Sequence, residues 1–289
     1  MANKSNGVRD AILWLLIAAY AIDPVLTDAF PARLSSPLAT PIAIVIPLLF
    51  ALIHGARRYG VVGILVFLVL CLGISNIMEN LGVATGFPFG PYHYTDVLGP
   101  KLFFVPLLIG PAYFGTGYLS WVLANVLLDT DRRRDARALL AAVIVGTFIM
   151  VGWDVCLDPG SSTISKIWIW EKGGGYFSVP FVNYLGWCLT VFLFLAAFAV
   201  WRARWAARRA ELPTSHWYQA CVFFLVLALD FPAGWFGADS KPIADATGKV
   251  WMTGDILETS AIVSLFTMVP FAVASLLALM LRGRQSTKD

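Results

Sequence analysis

Charge is scarce in this sequence: only 13% of its 289 residues are Asp, Glu, Lys or Arg, where a soluble domain carries about a quarter. The formal net charge is only +3. The arginines sit in short clusters between apolar runs, which argues against a nucleic-acid-binding face. Cysteine is equally sparse. Cys71, Cys156, Cys188 and Cys221 lie in or at the ends of apolar stretches, with no two close together. They form neither a metal signature nor a disulfide framework and read as small apolar fillers. There are three histidines and no H-E-x-x-H, so no zinc spacing is present. A G-x-S-x-G elbow, a P-loop and a dinucleotide fingerprint are also missing. Acid chemistry without a bound cofactor or metal is therefore easier to support than redox chemistry. Without an internal repeat or a low-complexity linker, the chain reads as one domain over residues 1–289.

What the sequence has in excess is apolar surface. Hydrophobic residues make up 58% and the mean hydropathy is +0.74, more than one soluble core would hide. A spanning helix needs about 20 mostly apolar residues. Eight stretches qualify, approximately 11–30, 38–54, 60–79, 102–128, 137–157, 179–201, 215–235 and 255–281. The first follows Lys4 and Arg9 as a signal peptide would, but no small-x-small cleavage site follows it, and it reads as a retained helix. The expected fold is thus an all-α, polytopic bundle of about eight helices. With the N-terminus inside, the inner segments hold 15 of the 21 basic residues, among them Arg57, Arg58, Arg132, Arg133, Arg134, Arg202, Arg204, Arg208, Arg209, Arg282 and Lys288. The outer segments hold six: Arg33, Lys101, Lys166, Lys172, Lys241 and Lys249. This bias predicts cytoplasmic N- and C-termini in a multi-pass protein of the cell inner membrane.

The same topology sorts the chemistry. Loops at about 80–101, 158–178 and 236–254 fall outside and are rich in Gly, Pro, Trp and Tyr. Carboxylates gather at the same level: Asp23, Glu79, Asp154, Asp158, Asp230, Asp255 and Glu258. Acids within membrane helices are costly and require a reason. Asp154 and Asp158, four apart, share a helix face, as do Asp255 and Glu258, three apart. Asp158 and Asp255 each border a loop, the setting of an ordinary interfacial cap. Glu79 is different, because it follows a long apolar run and precedes Leu81-Gly82-Val83. Rings crowd the segments Gly86–Tyr94 and Trp168–Phe177, with Trp153, Trp187, Trp235 and Trp251 in addition. Scattered Trp suits an interfacial belt; rings in glycine- and proline-studded loops suit a polyene pocket, where aromatic faces stabilise a carbocation. His93 lies in the first of these loops, while His54 and His216 read as interfacial residues on the inner side.

At these motifs the chain resembles the membrane carotenoid-biosynthesis family that includes CruF-type γ-carotene hydratases and archaeal bisanhydrobacterioruberin hydratases. The stretches that carry the resemblance are Glu79-Asn80-Leu81-Gly82-Val83, Gly86-Phe87-Pro88-Phe89-Gly90-Pro91-Tyr92-His93-Tyr94, Trp153-Asp154 with Asp158-Pro159, Trp168-Ile169-Trp170, Gly174-Gly175-Tyr176-Phe177, Val179-Pro180 and Asn183-Tyr184-Leu185-Gly186-Trp187. They cover roughly residues 75–190; beyond them only the hydropathy is compatible. The resemblance implies a cofactor-independent hydro-lyase that adds water to a terminal isoprenoid double bond, with a carotenoid substrate, the lipid bilayer and other carotenoid-pathway enzymes as partners. In that chemistry an acid protonates the alkene and a second carboxylate activates water. Glu79 or Asp154 would be the acid and Asp158 the water activator. His93, Tyr92, Tyr94, Tyr176 and Asn183 would position the water, and Trp153, Trp168 and Trp170 would line the polyene. A membrane cyclase sharing the protonation step, a non-catalytic isoprenoid carrier and a proton-coupled transporter are the competing readings.

Overall fold

A computed structural model describes residues 2–29, 39–131, 133, 135–206 and 212–285; of residues 2–6, 23–29, 39–42 and 283–285 only the backbone is described. Arg33, Arg132, Arg134, Arg208, Arg209 and Lys288, and the side chains of Lys4, Asp23 and Arg284, therefore lie outside the described residues. The chain is an all-α bundle of seven long helices among the described residues: α1 Ala2–Ala29, α2 Ala39–Thr85, α3 Ile109–Leu128, α4 Ala136–Asp158, α5 Phe181–Arg204, α6 Thr214–Trp235 and α7 Thr253–Gln285. Two stretches expected as separate helices, 38–54 and 60–79, run into one another as α2. Gly60, at φ 74° and ψ 168°, breaks it into two arms, a backbone conformation that a side chain would resist. The arms fold back on each other so closely that a Cβ on Gly55 would stand 2.3 Å from Ile64 Cδ1.

Local chemistry marks the helix ends. Asp135 caps α4 by accepting a bond from the Ala138 N–H at 3.0 Å, which satisfies one of the donors a helix start leaves open. Pro180 and Pro213, both extended, introduce α5 and α6. α4 ends by widening into a π-helical turn, Pro159–Ile164, a distortion that often marks functional sites.

Among the described residues, five helices have the length and composition to cross a membrane: Ala43–Thr85, Ala136–Ile164, Phe181–Arg204, Thr214–Trp235 and Thr253–Arg282. Their outward faces carry large apolar side chains such as Val69, Phe148 and Phe266, the last 76% exposed, as a lipid-facing surface requires.

The two ends of the bundle differ. One gathers the arginines. Arg57 pairs with Asp10 of α1, and Arg58 with Asp131 at 2.6 Å. Arg202 donates to the carbonyls of Asp131 and Arg133 at 2.7 and 3.1 Å, and Arg282 to that of Val126 at 2.7 Å. The expectation that these segments share one side is met by direct contact. His54 and His216 sit at this end too, inside the bundle. Both are fully buried and their rings stack 3.6 Å apart.

The opposite end carries a cap of short strands: β1 Tyr92–Tyr94, β2 Lys101–Leu102, β3 Val105–Pro106, β4 Trp168–Trp170, β5 Pro242–Ala244 and β6 Val250–Met252. The key pairing is β1 with β4, antiparallel, matching Tyr92 to Trp170, His93 to Ile169 and Tyr94 to Trp168. It ties together the two aromatic loops. Side chains alternate along a strand, so Tyr92, Tyr94, Trp168 and Trp170 share the inward face and His93 takes the outward one.

Candidate active site

Glu79 lies near the end of the second arm of α2 and is only 4% exposed. Three phenols hold it. Tyr92 and Tyr94 of β1 donate to Oε2, the latter at 2.9 Å, and Tyr113 of α3 donates to Oε1 at 2.6 Å. Burial, and then the adjacent Glu79 carboxylate, push the Tyr92 and Tyr94 phenols well above their ordinary range, so both remain O–H donors.

A second pair of acids comes from α4. Asp154 and Asp158 are one turn apart and both buried, and Asn183 of α5 bridges them. Its Nδ2 donates to Asp158 Oδ2 at 2.6 Å and to Asp154 Oδ2 at 3.3 Å. Asp158 Oδ1 accepts the indole N–H groups of Trp168 and Trp170 at 2.9 and 3.3 Å. Asp154 Oδ1 is buried with no hydrogen-bond partner among the described residues. The loop border had made Asp158 look like an ordinary cap. Instead the π turn continues the helix beneath β4, and the residue is enclosed.

Between these groups is a cavity of about 210 Å³. Glu79, Tyr92, Tyr94, Tyr113 and Asp158 line it together with Asn183, and rings of Phe89, Trp153, Trp168, Trp170 and Trp187 form much of the wall. Trp187 stacks on Tyr113 at 4.4 Å, nearly parallel, and Trp153 meets Trp187 edge-on at 6.1 Å. Gly186 lets this wall close: a Cβ there would stand 2.5 Å from Phe89 and 2.9 Å from the Pro88 carbonyl oxygen.

The structure thus brings Glu79, Asp158, Tyr92, Tyr94, Trp153, Trp168, Trp170 and Asn183 to one cavity. Asp154 stands directly behind, joined through Asn183. Tyr176 is a layer away, with its hydroxyl on the Val155 carbonyl at 3.3 Å. His93 is elsewhere. It faces out of the β1–β4 pair and bonds Glu171 at 3.2 Å, with both side chains 53% exposed. Asp255 and Glu258 are exposed as well. Among the cavity residues that were not site candidates are Tyr113, Trp187 and Asp230. Trp187 and Asp230 had been noticed as a ring and an acid near the right level, whereas nothing local distinguishes Tyr113 from the other apolar-helix aromatics. His93→Ala is accordingly expected to leave pigment turnover within about twofold of wild type, since a half-exposed polar contact at the surface contributes about 1 kcal/mol or less. A loss beyond tenfold in a chromatographic assay would return the histidine to the site.

Buried carboxyl groups in a ring-lined cavity, at one end of an apolar helical bundle, are the candidate site of a polytopic membrane protein. The chain belongs to the carotenoid biosynthesis protein family, which residues 39–238 match. It is 33% identical over 114 residues to the bisanhydrobacterioruberin hydratase of Haloarcula japonica. That alignment takes in 39% of this chain and 37% of the relative, so the chain spans little more than a third of the protein it matches. No solved structure matches the chain.

Proposed function

We propose that this protein is a carotenoid hydratase that adds water to the terminal double bond of an acyclic or monocyclic carotenoid, giving a tertiary alcohol. The observation that carries this reading is the pairing of two differently held carboxyl groups on one aromatic cavity. All three side-chain partners of Glu79 are hydroxyls, which donate or accept as needed. Glu79 can therefore take up and release a proton without orphaning a neighbour. Two indole N–H groups and an amide NH₂, which only donate, sit on the Asp158 carboxyl oxygens, so Asp158 is held as an acceptor.

In the proposed cycle Glu79 gives its proton to the less substituted carbon of the terminal alkene. The π electrons form the new C–H bond and leave a tertiary cation, which faces the rings of Trp153, Trp168, Trp170 and Trp187. Water attacks the cation, a C–O bond forms, and the released proton passes to Asp158. Water in the cavity returns that proton to Glu79, so the sum is alkene plus water to alcohol, with no net change in the protein. Asp154, sharing Asn183 with Asp158, supports that carboxylate from behind. Eight crossings with cytoplasmic termini, as the arginine asymmetry favours, put this site at the outer face of the cell inner membrane.

Pigment analysis in a bacterial host making acyclic and monocyclic carotenoids, grown in ordinary and in heavy-oxygen water, tests the reading. The expected result is a pigment heavier by one water whose added oxygen comes from solvent. A new pigment of unchanged mass would replace the hydratase by a cyclase, and no new pigment from either substrate type would overturn both.

A further inference from the structure

The cavity is too small for a whole carotenoid. About 210 Å³ is below the roughly 300–1,000 Å³ of pockets that enclose a drug-sized ligand, and a carotenoid is longer still. Most of the substrate must lie elsewhere, and the packing of α6 against the first arm of α2 indicates where. These helices run antiparallel. Toward the arginine end they are clasped ring to ring, His54 on His216 at 3.6 Å and Phe50 against Phe223 at 4.8 Å. Toward the other end the residues that follow in the same antiparallel register, Ala43 and Ile44 on one helix and Leu227, Asp230 and Phe231 on the other, line the cavity. Of these, Ala43, Ile44, Asp230 and Phe231 are half-buried, while Glu79, Tyr92, Tyr113 and Asp158 deeper in are buried. Tyr20 of α1 joins the same wall and meets Phe223 edge-on at 5.3 Å.

From this we infer that the slot between the first arm of α2 and α6 is a lateral portal, which holds the conjugated body of a long linear isoprenoid while only its end reaches the acids. This rests on the proposed function for the identity of the occupant. The slot runs beside α1, which packs against both of its helices, so a substrate held there enters from lipid at the edge of α1 and not through the strand cap. It also restricts attack to one end per binding event: a substrate with two reactive ends must leave and re-enter reversed.

The test compares wild type, Ala43→Trp and Val45→Trp, each purified from a polyene-producing host. Val45 is on the same arm but 38% exposed and does not line the cavity. Two quantities are read: polyene retained by the purified protein, and pigment conversion in the cells. Ala43→Trp is expected to lower both by about tenfold or more, corresponding to about 1.4 kcal/mol, with Val45→Trp like wild type. Ala43→Trp that keeps both at wild-type level overturns the portal, as does a wild type that retains no polyene. A wild type that retains polyene and converts none, with retention lost in Ala43→Trp, sinks the hydratase reading and leaves the portal standing. Should Ala43→Trp fail to fold, Ala43→Cys labelled after purification with a bulky maleimide replaces it, with labelled wild type as control. Labelling is expected to block polyene uptake, and uptake equal to that of the unlabelled variant overturns the portal.

Discussion

Glu79→Gln is expected to abolish water addition, by about 10² to 10⁴-fold, the range a positioned acid contributes, while the protein still folds. The substitution keeps the shape and removes only the transferable proton. Its neighbours tolerate this because of what they are. Tyr92, Tyr94 and Tyr113 reach Glu79 through hydroxyls, and a hydroxyl facing an amide NH₂ turns to accept instead of donate. Elution profile and thermal unfolding should therefore stay near wild type. The diagnostic measurement is made in heavy water: if Glu79 is the proton donor, the variant yields neither the alcohol nor deuterium in the carotenoid end group. Unimpaired conversion by Glu79→Gln would move the acid role to Asp154, whose free Oδ1 is the remaining place for a proton.

Much of this arrangement was legible from periodicity and composition. Each long apolar stretch falls on a helix or an arm of one, except that the start of 102–128 forms the β2–β3 hairpin before α3 begins at Ile109, and the segments rich in arginine meet at one end, because a chain in lipid must close its backbone bonds within helices and place its charges at their ends. Glu79 stood out because an acid following a long apolar run has to be enclosed by partners. Contacts between distant segments were not legible. The register of β1 on β4 decides that His93 points outward while Tyr92 and Tyr94 point inward, and a shift of one residue would exchange them. Nothing within either loop fixes that register. Tyr113 was missed for the same reason: its role exists only where α3 passes Glu79. His54 and His216 look interfacial because arginines flank one and a helix begins at the other. Their burial comes from α2 doubling back at Gly60, which seats His54 against α6.

Asp158→Asn separates the two halves of the proposed chemistry and is expected to have a second, physical signature. Both carboxyl oxygens of Asp158 accept from N–H donors: Trp168 and Trp170 on Oδ1, Asn183 on Oδ2. An asparagine must turn its NH₂ toward one of these sites, so at least one buried donor faces another donor in either orientation. A buried group left unsatisfied costs about 1–3 kcal/mol, and a measurable fall in thermal unfolding temperature should follow. Asp154→Asn creates no such donor–donor pair, because its NH₂ can occupy the side where Oδ1 already has no partner. In the reaction, Asp158→Asn retains the Glu79 proton donor but lacks the base that receives the proton of the attacking water. The cation then forms and reverts more often than it is captured. Alcohol formation should fall by about 10²-fold or more, while in heavy water deuterium still enters the carotenoid end group. This pattern is the opposite of Glu79→Gln, which should show neither. Alcohol formed at the wild-type rate by a destabilised Asp158→Asn would reduce Asp158 to a structural anchor for β4. Loss of alcohol and deuterium together would instead place the proton-donating step at Asp158.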